Sequence, residues 1–410
     1  MDLAFAPEDA AFREQVRTFL AENLPDRLRY KVENGVEQQY EDMLEWHKTL
    51  ARQGWVAPNW PKEYGGPGWT LTQKYIFDEE LGLAGAPRIV SFGINMCGPV
   101  LMRYGTEEQK RRHLPPMLAG DRIWCQGYSE PGAGSDLASL KTEAVRAHDD
   151  EMGDHYVVNG SKIWTTKAHW ADWCFLLVRT GKFEKRQQGI SFLLVDMKTP
   201  GIEIRPIHLI DGLHETNQVF YTDVRVPVEN LVGVENEGWG IGKYLLAHER
   251  MGGGSLGQHK AMLRQLKHIA GQEGAGGEAP LLQDAAFARE IASVEIELGT
   301  LEAFNLRAID RIARAGELGG QTLGTEANHF KIRNTEIQQR LTELKVHALG
   351  YYANPYVFSA LTQGWRNEEP IGAEYANGAA PNYFHFRKVS IYSGSNEIQH
   401  NIIAKAQLGL

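Results

Sequence analysis

Three regimes of hydrophobic spacing follow one another along the chain. From Pro7 to about Leu118 apolar residues recur at steps of three and four. Phe12, Val16, Phe19 and Leu20 form the clearest set, and the spacing returns over 43–50 and 94–102. It predicts amphipathic helices, because 3.6 residues per turn bring such positions to one face. From Ile123 to about Val234 the period falls to two, with HYVVNGSKIWTT, WCFLLVRT, GISFLLVDM, GIEIRPI and NQVFYTDVRVP as candidate strands. Asn159-Gly160, between two such runs, predicts a tight hairpin turn. From Gly238 long helical patterns return, interrupted by GQEGAGGEAP and YYANPY.

The punctuation agrees with these regimes. APNWPKEYGGPGWT reads as a loop between helices, and GTEEQKRR as a helix start with Thr106 as N-cap, acids in the first turn and bases after them. Helices, then strands, then helices imply segregated layers, so the chain is expected to be α+β. The expected parts are an N-terminal helical domain over 1–122, a β domain over 123–234 and a C-terminal helical domain over 235–410. No internal repeat is visible.

Composition narrows the field. With 410 residues, 42% of them hydrophobic, buried cores need no covalent staples. A net charge of −9 disfavours a nucleic-acid partner, since phosphate binding relies on clustered Lys and Arg. Cys97, Cys125 and Cys174 are isolated and include no CxxC pair, so neither a disulfide framework nor a thiolate metal site is expected. No run is long enough to span a membrane. Asp2, Glu8 and Asp9 argue against a signal or transit peptide, and a cytoplasmic protein is expected.

The segment YSEPGAGSDLASL, 128–140, tests for phosphate chemistry. It begins like G-x-G-x-x-G but carries Leu137 where the third glycine belongs, follows no βαβ unit and lacks a P-loop lysine. Taken alone it is a Pro-Gly turn with a Ser-Asp helix cap.

Three motifs in order, CQGYSEPGAGSDLASLKT, NGSKIWTTKAHWADW and SIYSGSNEIQHNIIAKA, resemble the acyl-CoA dehydrogenase flavoprotein family. The resemblance covers essentially the whole chain and is strongest toward bacterial enzymes similar to the large subunit of pimeloyl-CoA dehydrogenase. It implies a middle antiparallel β-barrel or sandwich, a C-terminal four-helix bundle, and FAD as cofactor. Gln126, Tyr128, Ser129, Gly134 and Ser135 would lie along the flavin, with Gly132 and Gly134 admitting close approach and Ser135 binding a phosphate or the CoA portion. Trp164 would stack on the flavin, with Thr165 beside it and Thr166 near flavin N5. Ser395 and Glu397 would approach the adenosine portion. Tyr392, Ser393 and Gly394 would line the substrate region, the Ser393 N–H donating to the thioester carbonyl.

Desaturating an acyl thioester requires a base for the α-proton, and a carboxylate in a dry pocket suits it because desolvation raises its pKa. Many members carry a glutamate directly after Ile-Tyr; this chain has Ser393 there, and an unactivated hydroxyl cannot replace it. Other members supply the glutamate ahead of an arginine on an earlier helix. LLAHERMGGG offers Glu249 as base and Arg250 for substrate. His248 is the runner-up, but adjacent helical positions point about 100° apart.

The resemblance also implies a partner question. The Arg-x-x-Phe-Gly and Gln-x-x-Gly-Gly-x-Gly segments through which family homotetramers contact a neighbour's FAD are replaced here by GQEGAGGEAP and HALGYYA. Either a homo-oligomer (dimer or tetramer) or a heterotetramer with a second acyl-CoA dehydrogenase-like subunit is expected. Electron-transferring flavoprotein is the implied acceptor for electrons from an acyl-CoA substrate, and an acyl-CoA oxidase or a non-catalytic subunit are the alternatives. The acyl chain is not legible from the residues; the resemblance implies a medium or dicarboxylic acyl group, or a ring-bearing one. His208, His214 and Glu215 read as surface residues.

Overall fold

Each hydrophobic period builds its own layer. The computed structural model describes residues 5–409 apart from 250–255, 275, 278, 316–323 and 370, and gives no side-chain description at 247–249 and 315. The first layer holds α1 (Pro7–Asn23), α2 (Asp26–Asn34), α3 (Tyr40–Arg52), α4 (Leu71–Leu83), a π-turn over Phe92–Cys97, α5 (Gly98–Tyr104) and α6 (Glu107–Ala119). α1 buries Phe12, Val16, Phe19 and Leu20, the set that the spacing predicts. α6 opens at Thr106, whose hydroxyl accepts the Gln109 N–H while the Gln109 side chain accepts the Thr106 N–H. Such a reciprocal cap contributes about 1 kcal/mol.

The second layer is one eight-stranded sheet. Its strands are β1 (Trp124–Gly127), β2 (Glu143–Asp149), β3 (Gly153–Lys162), β4 (Trp173–Arg179), β5 (Ile190–Asp196), β6 (Ile202–His208), β7 (His214–Pro227) and β8 (Leu231–Val232). The order is β6-β7-β3-β2-β4-β5-β8, mostly antiparallel, and β1 pairs in parallel with β4. β4 and β5 are buried along six of seven positions each. Cover on both faces explains why their sequences read as unbroken apolar runs.

Asn159-Gly160 does not make a hairpin. It lies inside β3, where the register with β7 shifts between Val158 and Gly160. Gly160 has φ +147°, and a Cβ there would come within 2.7 Å of Thr142 Cα. The Asn159 side chain is engaged across the sheet by Asp223, donating to its carboxylate and accepting its N–H at 3.0 and 2.9 Å. The pair is therefore a bulge, and the chain turns earlier, where Asp149 accepts the N–H groups of Glu151 and Met152 ahead of Gly153.

The third layer contains α7 (Gly238–Glu249), α8 (Leu256–Gln272), α9 (Ala285–Ala315), α10 (Glu326–Leu349), α11 (Phe358–Leu361), α12 (Ala379–His385) and α13 (Asn396–Leu408). α10 packs against α8, α9 and α13. Lys260 of α8 bridges Glu79 of α4 and Glu302 of α9, tying the first layer to the third. Gln109 of α6 donates to the carbonyls of Glu229 and Leu231, both at 2.8 Å, tying the first to the second. Among the described residues no helix is long and apolar enough to cross a membrane.

Candidate active site

The glycine-rich segment leaves β1 and is closed by a buried ion pair. Glu130 accepts from the main-chain N–H groups of Lys141 and Thr142 at 2.6 and 2.8 Å and from Lys162 Nζ at 2.8 Å. Lys162, wholly buried, also donates to the Tyr128 carbonyl at 3.2 Å. Burial pushes the Glu130 carboxyl up, but the Lys162 charge and the donated hydrogen bonds outweigh it and hold the group below its ordinary value. Burial likewise pulls the Lys162 ammonium down against the pull of Glu130. The loop is thereby fixed at both ends while its crown stays open. No atom lies within 4 Å of a Cβ built at Gly132 or Gly134, so packing within the chain does not require glycine there, and a ligand would find room. Ser135 is exposed beside them.

Beyond this crown lies a solvent-open cavity of about 960 Å³, with Ser139, Lys141, Arg179 and Arg186 in its lining. Arg179 is consumed as a staple, donating to the carbonyls of Ala138, Leu140, Arg186 and Gln188. Lys141 is exposed at the rim.

The second motif leaves β3 in an irregular run. Ile163 N–H donates to the Ser129 carbonyl at 2.9 Å, joining it to the glycine-rich segment. Trp164 then sits at φ +61°, a left-handed backbone that bulky residues avoid, and its side chain is 55% exposed. A strained main chain presenting a large apolar ring to the outside fits a stacking ligand better than a core. Thr165 exchanges main-chain hydrogen bonds with Asn217, and Lys167 N–H donates to the Glu215 carbonyl. Thr166 is half-buried between them. Thr165 Oγ1 and Gln126 Nε2 are buried without a hydrogen-bond partner among the described residues. Buried polar atoms left over by the chain's own bonding suit the polar edge of a flavin, and on this ground the residues present fit FAD.

The third motif lies just before α13. Ser393 and Gly394 have φ +57° and +83°, and Tyr392 is about half exposed. Ser395 caps α13 by accepting the Ile398 N–H, and Glu397 stands in its first turn. Glu249 is the last residue of α7; its side chain and the whole of Arg250 lie outside the described residues. A Cβ on Gly242 of the same helix would lie 3.5 Å from Leu177 and 3.9 Å from the Tyr128 hydroxyl. α7 therefore passes Leu177 of β4 and the Tyr128 hydroxyl at the start of the glycine-rich segment.

Two sequence readings need correction. His214 and Glu215 are half-buried and engaged: His214 stacks on His169 with ring centroids 4.0 Å apart and shares a 2.7 Å hydrogen bond with Asn217, and Glu215 is paired with Lys388. His208 is exposed as expected. Glu130 and Lys162 lay inside the quoted motifs without a role. Their only sequence signal is a lysine at the end of an otherwise apolar strand, where an unpaired charge would be costly.

An open glycine crown, a strained exposed indole and leftover buried polar atoms, on a helical–β–helical frame, are compatible with a flavoprotein oxidoreductase. The family profiles agree: "Acyl-CoA dehydrogenase, N-terminal domain" matches residues 6–121, the middle domain 125–224 and the C-terminal domain 236–408. The chain is 35% identical to acyl-CoA dehydrogenase IpdE1 of Mycolicibacterium smegmatis, over 97% of each protein. It superposes on the Tcur3481-Tcur3483 steroid ACAD with TM-score 0.82 and 30% identity, covering 100% of this chain and 99% of the other. It superposes on the ChsE4-ChsE5 complex from Mycobacterium tuberculosis with TM-score 0.80 and 31% identity, at the same coverage. The chain belongs to the acyl-CoA dehydrogenase family, whose members bind FAD and dehydrogenate acyl-CoA.

Proposed function

We propose that this chain binds FAD and converts an acyl-CoA thioester to the trans-2-enoyl-CoA, with Glu249 as the base. The carrying observation is the path of α7. Positions 242, 245 and 249 share one helical face, two turns and about 10 Å from end to end. That face meets Tyr128 and Leu177 at Gly242 and is buried at Leu245. Position 248 lies about 100° away, which favours Glu249 over His248.

Bound FAD supplies the acceptor for the β-hydrogen and its electron pair. Glu249 takes the α-proton, leaving the electron pair of the broken C–H bond to form the new C=C bond. The main-chain N–H of Ser393 donates to the thioester oxygen, where negative charge develops as that proton leaves. The left-handed turn at 393 and 394 supports this role, since it aims a main-chain donor regardless of the side chain. The cations Lys141 and Arg186 suit the phosphates of CoA, while Arg179 is committed to carbonyls. Arg250, Tyr392 and Gly394 complete the substrate side; Ser129, Ser135, Thr166, Ser395 and Glu397 complete the cofactor side. A ring-bearing acyl group is supported by the word "steroid" in the name of one structural relative, and electron-transferring flavoprotein is the acceptor.

Heteromeric assembly is the second part of the reading. Two structural relatives are named as pairs of chains, and the neighbour-contacting arginine and glycines are missing here. Purifying the chain alone and counting FAD per chain tests this: substoichiometric flavin supports a distinct partner, and full, stable occupancy in a homo-oligomer removes the need for one. Oxygen uptake during turnover would convert the dehydrogenase reading to an oxidase.

A further inference from the structure

The strand exit at 164–167 and the turn at 391–394 belong to different layers, yet one chain of bonds connects them. The β6–β7 hairpin supports the first: Asn217 and Glu215 hold Thr165 and Lys167 through main-chain hydrogen bonds, and the Asn217 amide adds a 3.0 Å bond to the Thr165 carbonyl. The same hairpin reaches across to the short helical turn 386–390. Glu215 pairs with Lys388, and Asp211, wholly buried, accepts from His385 Nδ1 at 2.5 Å. Tyr356 adds a 2.6 Å bond from its hydroxyl to the Asp211 carbonyl. On its far side the turn is gripped by α10, where Gln339 donates to the carbonyls of Phe386 and Arg387, and Arg387 donates to Gln339 and Thr342. The carbonyl of Lys388 then accepts the N–H groups of Ile391 and Tyr392. A lateral shift of Lys388 therefore moves the residues directly before Ser393.

We infer that Glu215 and Lys388 are positioning residues: their ion pair sets the spacing between the flavin-facing run 164–167 and the carbonyl-binding turn 392–394. The inference rests on the function proposed above. Neither side chain touches the reacting atoms; each acts through the main chain it anchors, Glu215 through Lys167 and Lys388 through Tyr392. The Asp211–His385 bond fixes the rotation of the same turn about that link. A pair about one quarter exposed at each partner is less costly to break than a fully buried one, because solvent still reaches it. Its leverage is on geometry, where a displacement of about 1 Å can cost about a hundredfold in rate.

The test uses the FAD-loaded chain with whichever partner it requires, and variants Lys388→Gln, Glu215→Gln, the double variant and Lys388→Arg. Lys388→Gln is expected to lower kcat about 10- to 100-fold with KM within about twofold, because alignment and not ground-state binding is lost. It should also alter the visible circular dichroism of the bound flavin. Lys388→Arg should restore both, and the loss in the double variant should not exceed that of either single one. Wild-type kcat and wild-type circular dichroism in Lys388→Gln would overturn the inference, as would multiplied losses in the double variant. If no thioester reduces the flavin of the wild-type chain, the proposed function fails, while the circular-dichroism arm still decides whether this pair shapes the flavin site.

Discussion

Two lysine–glutamate pairs flank the site, and they solve different problems. Glu130–Lys162 lies inside the β layer, with side chains 7% and 0% exposed. Glu215–Lys388 spans two layers, with side chains 27% and 26% exposed. In the first, every polar atom removed from water must be matched: Glu130 has three donors around it and Lys162 two acceptors. In the second, water screens much of the attraction, and what remains is a link between segments 173 residues apart. Burial makes a pair a condition of folding, and partial exposure leaves a pair free to act as an alignment device.

The largest expected effect follows from breaking the buried pair. Lys162→Met leaves the Glu130 carboxylate buried without its counter-charge and should cost about 3–5 kcal/mol of unfolding free energy, read by denaturant titration. Adding Glu130→Gln should recover part of the loss, since it removes the buried charge, although the amide oxygen replaces only one of the two carboxylate oxygens that accept separately from Lys141 and Thr142. A single variant within about 1 kcal/mol of wild type would erase the distinction between the pairs.

Acid sharpens the comparison. Glu130, Glu215 and Asp211 are all held below the ordinary carboxylate value, so both pairs persist between pH 7 and 5. His113 and His259 behave otherwise. Both are wholly buried, with ring nitrogens that have no hydrogen-bond partner among the described residues. Burial first, then neighbouring arginines, lowers each from 6.5 to about 3. The unfolded chain takes up these protons below pH 6.5 while the folded chain refuses them until about pH 3, so stability falls as pH drops through that window. At pH 5 each histidine should cost about 2 kcal/mol. His113, packed edge-on to Trp124 and Trp173, can be replaced by Phe, and unfolding measured from pH 7 to 5 should become shallower, the rest of the slope staying with His259 and with His47 and His169, which burial also lowers. An unchanged slope would place the acid sensitivity elsewhere.

The smallest expected effect is on the partly exposed pair. Lys388→Gln should change unfolding free energy by about 1–2 kcal/mol, clearly less than Lys162→Met. A loss as large as that of Lys162→Met would make Lys388 a folding residue.

The layers were legible because hydrophobic period is local: Phe12, Val16, Phe19 and Leu20 needed no partner to be read as one helical face, and the Thr106 cap is written within four residues. Asn159-Gly160 misled because the pair satisfies the preferences of a turn and of a bulge equally; the decision lies with Asp223 and Thr142, far along the chain. Trp164 and Ser393 are candidate site positions through motif resemblance alone, and their left-handed backbones have no signature in composition. Glu215 read as surface because Lys388, its partner, carries no mark in its own neighbourhood. Long-range charge pairing is the part of the site that a single sequence conceals.

The most direct measurement is anaerobic addition of acyl-CoA thioesters, ring-bearing ones included, to the FAD-loaded chain, followed by the visible absorbance of the flavin. The flavin of the wild-type chain should bleach with at least one thioester, and Glu249→Gln, with equal FAD content, should bleach about 100- to 10,000-fold more slowly. Equal rates in the two proteins would contradict the assignment of Glu249 as the base.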